Sequence, residues 1–331
     1  MTDYLYGSAR LRAMEQTLIG RERIEALLVC ADTAQLWDRL TEFGVTAITD
    51  PKSGERLREE TLLSLLNGAY REVCALFPEE PSLRLWLYQY DCNNVKAAIK
   101  GFVRGIDARS MMFELGTVSV EDVLRMVREN RYEGLPPEMA RAAAHAVSEY
   151  AKTKNPQVID LCLDRACYAD MLADAKASGV AFVSQLVECK IDLINLLIAV
   201  RILRMKSGEA GRAFLRDAMI EGGKLSRSQL IEWFEGGEDL LWDRLFYSPY
   251  SRLATAIHAS DRSLTAIERC LDNAWMNEIQ TAKFIPYGAE VAIAYLLAHE
   301  YEVRNLRILF AAKDAGLAVE TTRERIRDSY V

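Results

Sequence analysis

The sequence predicts an all-α protein, and three observations point there. Apolar residues recur at helical spacing almost throughout, as in Ile24, Leu27 and Leu28 followed by Leu36 and Leu40. Alternating runs rich in Val, Ile and Thr are nearly absent, with Val45-Thr46-Ala47-Ile48-Thr49 the main exception. A short polar motif recurs three times at intervals of roughly 100 residues, a common domain size.

Helix starts are marked by residues that satisfy free backbone N–H groups. Asn155-Pro156 reads as an N-cap with proline at the first helical position, and Ser226 with Gln229 as a capping box. Pro136-Pro137-Glu138 and Pro81-Ser82 open further helices.

The recurring motif is an acid, two residues, an asparagine and an aliphatic residue. It stands as Asp91-Cys92-Asn93-Asn94-Val95, Asp192-Leu193-Ile194-Asn195-Leu196 and Glu302-Val303-Arg304-Asn305-Leu306. Apolar residues follow in step (Ala98 and Ile99, Ala199 and Val200, Leu309 and Phe310), and Gly105, Gly208 and Gly316 then suit left-handed C-caps. A second signal leads the later copies: Gly116-Thr117-Val118-Ser119 before Val123-Leu124, and Gly223-Lys224-Leu225-Ser226 before Leu230-Ile231. In the first copy Gly20 precedes Leu27-Leu28 at the same offsets, with Arg23 in place of the capping serine. The division that follows is an N-terminal helix over 1–19 and helical repeats over 20–110, 111–215 and 216–331. The long period excludes solenoids, whose repeats run roughly 33–47 residues. It suggests three similar helical domains in a pseudo-threefold, funnel-shaped arrangement around a central cavity.

An acid and an asparagine at i and i+3 share one helix face. Asp91 with Asn94, Asp192 with Asn195 and Glu302 with Asn305 are therefore half-buried pairs serving a neighbouring backbone, or else partner-binding pairs. The first reading is favoured, because buried polar groups usually serve local hydrogen bonds.

The net charge of −7 is mixed along the 331 residues, which argues against nucleic acid as a partner. An acidic chain is also poorly suited to anionic lipid, so residence near a membrane would need a protein partner. The seven cysteines contain no CxxC pair and suit buried thiols of a reducing cytoplasm. Met1-Thr2-Asp3-Tyr4 does not open a signal sequence. The most apolar segment, Ile191 to Val200, already holds Asp192 and Asn195, whereas a membrane span needs roughly 20 apolar residues.

No catalytic, cofactor or metal residues are expected. Gly222-Gly223-Lys224-Leu225 approaches a phosphate loop but lacks its remaining glycine spacing and Ser or Thr. His299-Glu300 begins a zinc-protease motif that Val303 breaks. Asp160 and Asp164 share a face that could hold magnesium, but the adjacent Arg165 favours a solvated charged surface. No serine sits in a nucleophile elbow. Trp86, Tyr88, Tyr90, Trp233 and Phe234 fall at helical spacing and read as core.

The C-terminal segment carries a family resemblance. Phe284-Ile285-Pro286-Tyr287-Gly288-Ala289-Glu290 runs into Ala294-Tyr295-Leu296-Leu297 and Glu300-Tyr301-Glu302-Val303-Arg304-Asn305-Leu306-Arg307, with Lys313, Gly316 and Tyr330-Val331 beyond. This resembles the C subunits of V/A-type rotary ATPases, whose eukaryotic V-ATPase counterpart is the d subunit. Tyr4-Leu5-Tyr6, Ala9-Arg10-Leu11-Arg12, Glu15 and Leu18 resemble that family's first helix. The resemblance implies a hollow cone of three helical domains without an active site. One face would rest on the proteolipid ring, and a central socket would take the shaft made by the D and F subunits. It implies a place on the cytoplasmic side of the membrane without lipid insertion, with ATP hydrolysis in other subunits. A helical scaffold between other proteins, and an all-α enzyme with an interdomain site, are the competing readings.

Overall fold

The computed structural model describes residues 4–205 and 208–331; Met1, Thr2 and Asp3 of the N-terminal reading lie outside the described residues. The fold is all-α. The Val45–Thr49 exception forms only a minimal ladder, Ile48–Thr49 (β1) antiparallel to Arg56–Leu57 (β2). Its turn is held by Asp50, whose Oδ1 accepts from Lys52 N at 2.7 Å and Ser53 N at 2.9 Å.

The chain starts in one compact unit, Met1–Glu80, leaves for a second, Pro81–Tyr250, and returns to the first as Ser251–Val331. The first unit opens with α1 (Tyr4–Met14), α2 (Arg21–Leu28), α3 (Thr33–Glu42) and α4 (Arg58–Leu76). The second holds α5 (Tyr88–Arg104), α6 (Val120–Glu129), α7 (Pro137–Thr153), α8 (Gln157–Ala177), α9 (Ala181–Arg204), α10 (Gly208–Ala218), α11 (Arg227–Glu235) and α12 (Gly237–Leu245). The first unit is completed by α13 (Ser251–His258), α14 (Leu264–Gln280), α15 (Ala289–Asp314) and α16 (Val319–Arg323).

In the first unit α15 is the core element. It is apolar around its whole circumference through Val291, Ile293, Leu296 and Leu297, and packs against α1, α2, α3, α4 and α14. Lys313, near its end, donates to the carbonyls of Leu28 at 2.7 Å and Cys30 at 2.5 Å, satisfying acceptors that the end of α2 leaves open. The two segments that carry the family resemblance meet here. Arg12 donates to the carbonyls of Ala282 at 2.5 Å and Ile285 at 2.7 Å, and Gly288 N donates to Ser8 Oγ at 3.2 Å.

In the second unit α8 packs against α5, α7 and α9. Asp170 on α8 accepts from Glu138 N at 3.0 Å and Met139 N at 2.9 Å, so a tertiary carboxylate caps the first turn of α7. Trp86, Tyr88, Trp233 and Phe234 are buried, while Tyr90 is partly exposed. None of the seven cysteines forms a disulfide, and only Cys74 is exposed.

The helix starts follow the chemistry of their residues. Asn155 Oδ1 accepts from Gln157 N at 3.0 Å while Pro156 already has helical angles, and the Ser226–Gln229 capping box is complete. Pro81, by contrast, opens a 3₁₀ segment, Pro81–Leu87, that runs into α5. Its buried residues, Ser82 with Leu85 and Leu83 with Trp86, repeat every three positions, which suits a three-residue turn.

Gly105 and Gly316 adopt φ of +67° and +61° and close their helices with bonds from Ile106 N to Gly101 O and from Leu317 N to Ala312 O, both 2.9 Å. Gly208 departs from the expected C-cap. α9 ends at Arg204 with Met205 still right-handed, and Gly208 spends its φ of +55° at the start of α10. No helix among the described residues is long and apolar enough to cross a membrane.

Candidate functional site: three acid–asparagine joints

The three repeated pairs lie on α5, α9 and α15, and each asparagine makes the same two-point contact. Asn94 donates from Nδ2 to Phe113 O at 2.9 Å and accepts from Phe113 N at 2.8 Å. Asn195 does the same with Ile220, at 2.8 Å and 2.9 Å. Asn305 does so with Arg327, at 3.0 Å and 2.9 Å. A primary amide matches the donor and acceptor of one peptide residue edge to edge, so the side chain extends the backbone pattern of a β-ladder.

The acids one turn earlier hold the segment just before the next helix. Asp91 accepts from Thr117 N at 2.9 Å, Thr117 Oγ1 at 2.6 Å and Val118 N at 3.1 Å. Asp192 accepts from Lys224 N at 2.8 Å, Leu225 N at 3.2 Å and the phenol of Tyr250 at 2.6 Å. Glu302 accepts from Ile19 N and pairs with His299 Nδ1 at 2.5 Å. Asp91, Asp192 and Glu302 are all buried.

Glycines make this approach possible. A Cβ on Gly223 would stand 1.9 Å from Asp192 Oδ1, and one on Gly116 2.5 Å from Asp91 Oδ1. The helices that follow are capped by Ser119, Ser226 and Gly20. This corrects the register read in the first copy: Gly20 itself occupies the capping position, so Ile19 stands where Val118 and Leu225 stand. An N-cap tolerates glycine almost as well as serine, which is why the serine could be absent.

The joints differ in connectivity. In the first two, one continuous segment serves both members of the pair, 113–118 and 220–225. In the third, Arg327 serves Asn305, while Ile19, 283 residues from Glu302, serves the acid.

Burial sets the electrostatics. It raises the Asp192 carboxyl to about 6, outweighing the hydrogen bonds from Tyr250, Leu225 and Lys224 that favour the anion. Burial likewise raises Asp91 against its bonds from Thr117 and Val118, and raises Asp170. The folded chain therefore holds these protons more tightly than the unfolded one, where an aspartate titrates near roughly 4. The associated stability is complete below that value and is lost as pH rises through the folded value. Thermal melting should show Tm rising as pH is lowered from about 7.5 to about 5, Asp192 contributing on the order of 1–1.5 kcal/mol over that range. Asp192→Asn should flatten part of that slope; a Tm independent of pH in this window would refute the assignment.

The other sequence candidates are spent on local structure. The Lys224 and Leu225 amides of the glycine-rich loop, which would cradle a phosphate, already donate to Asp192. Asp160 pairs with Lys100 at 2.5 Å, and Asp164 with Lys96. Among the described residues no cluster of His, Cys, Asp and Glu could hold a metal ion. Tyr250 escaped sequence reasoning, because a single tyrosine in one copy breaks no pattern.

Comparison with known proteins gives these joints a context. Residues 8–325 match the family described as ATP synthase (C/AC39) subunit. The chain is 25% identical over 354 residues to the C subunit of the A-type ATP synthase of Thermococcus onnurineus, covering 99% of this chain and 91% of that one. It is 27% identical over 331 residues to the C subunit of the A-type ATP synthase of Haloferax volcanii, with 94% of each chain covered. It is 25% identical over 256 residues to the C subunit of the V-type sodium ATPase of Enterococcus hirae, with 76% of each covered. The match takes in all three joint helices, the N-terminal motif from Ala9 to Leu18 and the C-terminal one from Phe284 to Gly316, and the chain belongs to the ATP synthase (C/AC39) subunit family.

Proposed function

We propose that this chain is the non-catalytic coupling subunit of a V/A-type rotary ATPase, joining the D–F shaft to the proteolipid ring and passing torque between them. The observation that carries the reading is the family match over nearly the whole chain, with relatives named as C subunits of A-type ATP synthases and of a V-type sodium ATPase. Its place would be the cytoplasmic face of the membrane, held there through the ring.

The joints favour the same reading. They tie the first copy to the second, the second to the third and the third back to Ile19, the residue that leads into the first. That cyclic order supports three similar domains, over 20–110, 111–215 and 216–331, in a pseudo-threefold arrangement around a central cavity. A part that transmits torque must deform little, and two-point hydrogen bonds from a helix to a connecting segment resist shear better than apolar contact alone.

The test is retention of purified D–F shaft by the immobilised chain, followed by addition of detergent-solubilised proteolipid ring. Both should be retained together, and the chain alone should hydrolyse no ATP. A folded chain that holds neither would overturn the proposal.

A further inference from the structure

We infer that Arg327–Val331 is a detachable strap, a peptide seated in a groove of the first unit, whose seating holds the third joint shut. In the other two joints the chain itself links both halves; only here does the link depend on non-covalent contacts. The strap has no helical or strand structure of its own. Side chains read its backbone instead. Asn305 takes both groups of Arg327, Asn273 Oδ1 accepts from Asp328 N at 2.9 Å, and Gln280 Nε2 donates to Ser329 O at 2.8 Å and Tyr330 O at 3.3 Å. Two side chains anchor it. Arg327 Nε meets Asp272 at 3.0 Å, and the buried Tyr330 ring lies under Lys283 at 4.9 Å with its hydroxyl accepting from Arg12 at 3.3 Å. This is how a bound peptide is held in a groove: main-chain bonds along its length, with pockets for a few of its side chains.

The strap ends on the start of α2. Val331 O accepts from Arg21 N at 3.2 Å, and a Cβ on Gly20 would stand 2.7 Å from that oxygen. Seating the strap thus satisfies a first-turn amide of α2 and covers the residues that Glu302 holds. A small cavity lined by Leu18, Ile19, Ala298, Tyr301, Ser329 and Val331 runs along this seam. Its lining atoms forgo contacts that a filled core would make, which lowers the cost of local opening there. Strap and α2 start should therefore open as one unit, ahead of the other two joints. This holds whatever machine the chain serves.

Hydrogen exchange on the full chain tests it. In the unaltered protein the Ile19 and Arg327 amides should exchange at least about tenfold faster than Val118, Leu225, Phe113 and Ile220, as expected of a sub-global opening. Gln280→Ala and Tyr330→Phe, which remove single strap contacts, should accelerate 324–331 and 17–22 together and leave 113–120 and 220–227 unchanged. Equal protection at the three joints in the unaltered chain would overturn the strap. So would acceleration confined to 324–331, or spread evenly over all three joints.

Discussion

Gly223→Ala should cost about 3–5 kcal/mol of stability, the range for stranding a buried charge without its partners. The added Cβ would lie 1.9 Å from Asp192 Oδ1 and 2.6 Å from its Cγ, far inside contact distance. The obstacle is a carboxylate held by three donors, so it yields only by leaving them. Lys224 N, Leu225 N and the Tyr250 phenol would then lack an acceptor in the interior. Gly68→Ala is the control. Gly68 lies within α4 with nothing within 4 Å of its added Cβ, and the change should stabilise by about 0.5–1 kcal/mol. Urea denaturation of both variants decides the matter. If the two differ by less than about 1 kcal/mol, comparable to one hydrogen bond, the close approach is not what glycine is there for.

Asn195→Ala should cost about 2–4 kcal/mol, because it leaves both the N–H and the C=O of Ile220 without a partner, each omission worth about 1–3 kcal/mol. Asn195 is 2% exposed, so water cannot readily replace the amide. Asn195→Asp should give no rescue. One oxygen would still accept from Ile220 N, but the other would face Ile220 O, acceptor against acceptor. Equilibrium denaturation of the two variants measures this, and a wild-type midpoint for Asn195→Asp would exclude two-point recognition.

The motif residues were visible because an acid and an asparagine recur at one spacing in three places along the chain. Asp192 and Asn195 stand inside the most apolar stretch of the chain, and a polar pair there needs a reason. Their partners were not visible. Phe113, Ile220 and Arg327 share no side-chain property, since the asparagines read only backbone N–H and C=O, which every residue but proline supplies. The misread register at Gly20 has a similar origin. A glycine that permits close approach and a glycine that caps a helix look alike in sequence, and only the hydrogen bond from Ile19 N to Glu302 separates them.

By itself the sequence determined what local interactions decide: the all-α class, the Ser226 capping box, the asparagine start at Asn155, and the left-handed glycines at Gly105 and Gly316. Each of these is settled within a few residues of chain, where dihedral preference and side-chain reach leave few options. Tertiary structure alone decided which backbone each asparagine holds, that Tyr250 completes the Asp192 site, and that the third joint draws on Ile19, 283 residues from the Glu302 it serves. Those choices rest on through-space contacts, and a hydrogen bond to a distant main chain leaves no trace in the identity of the residue that provides it.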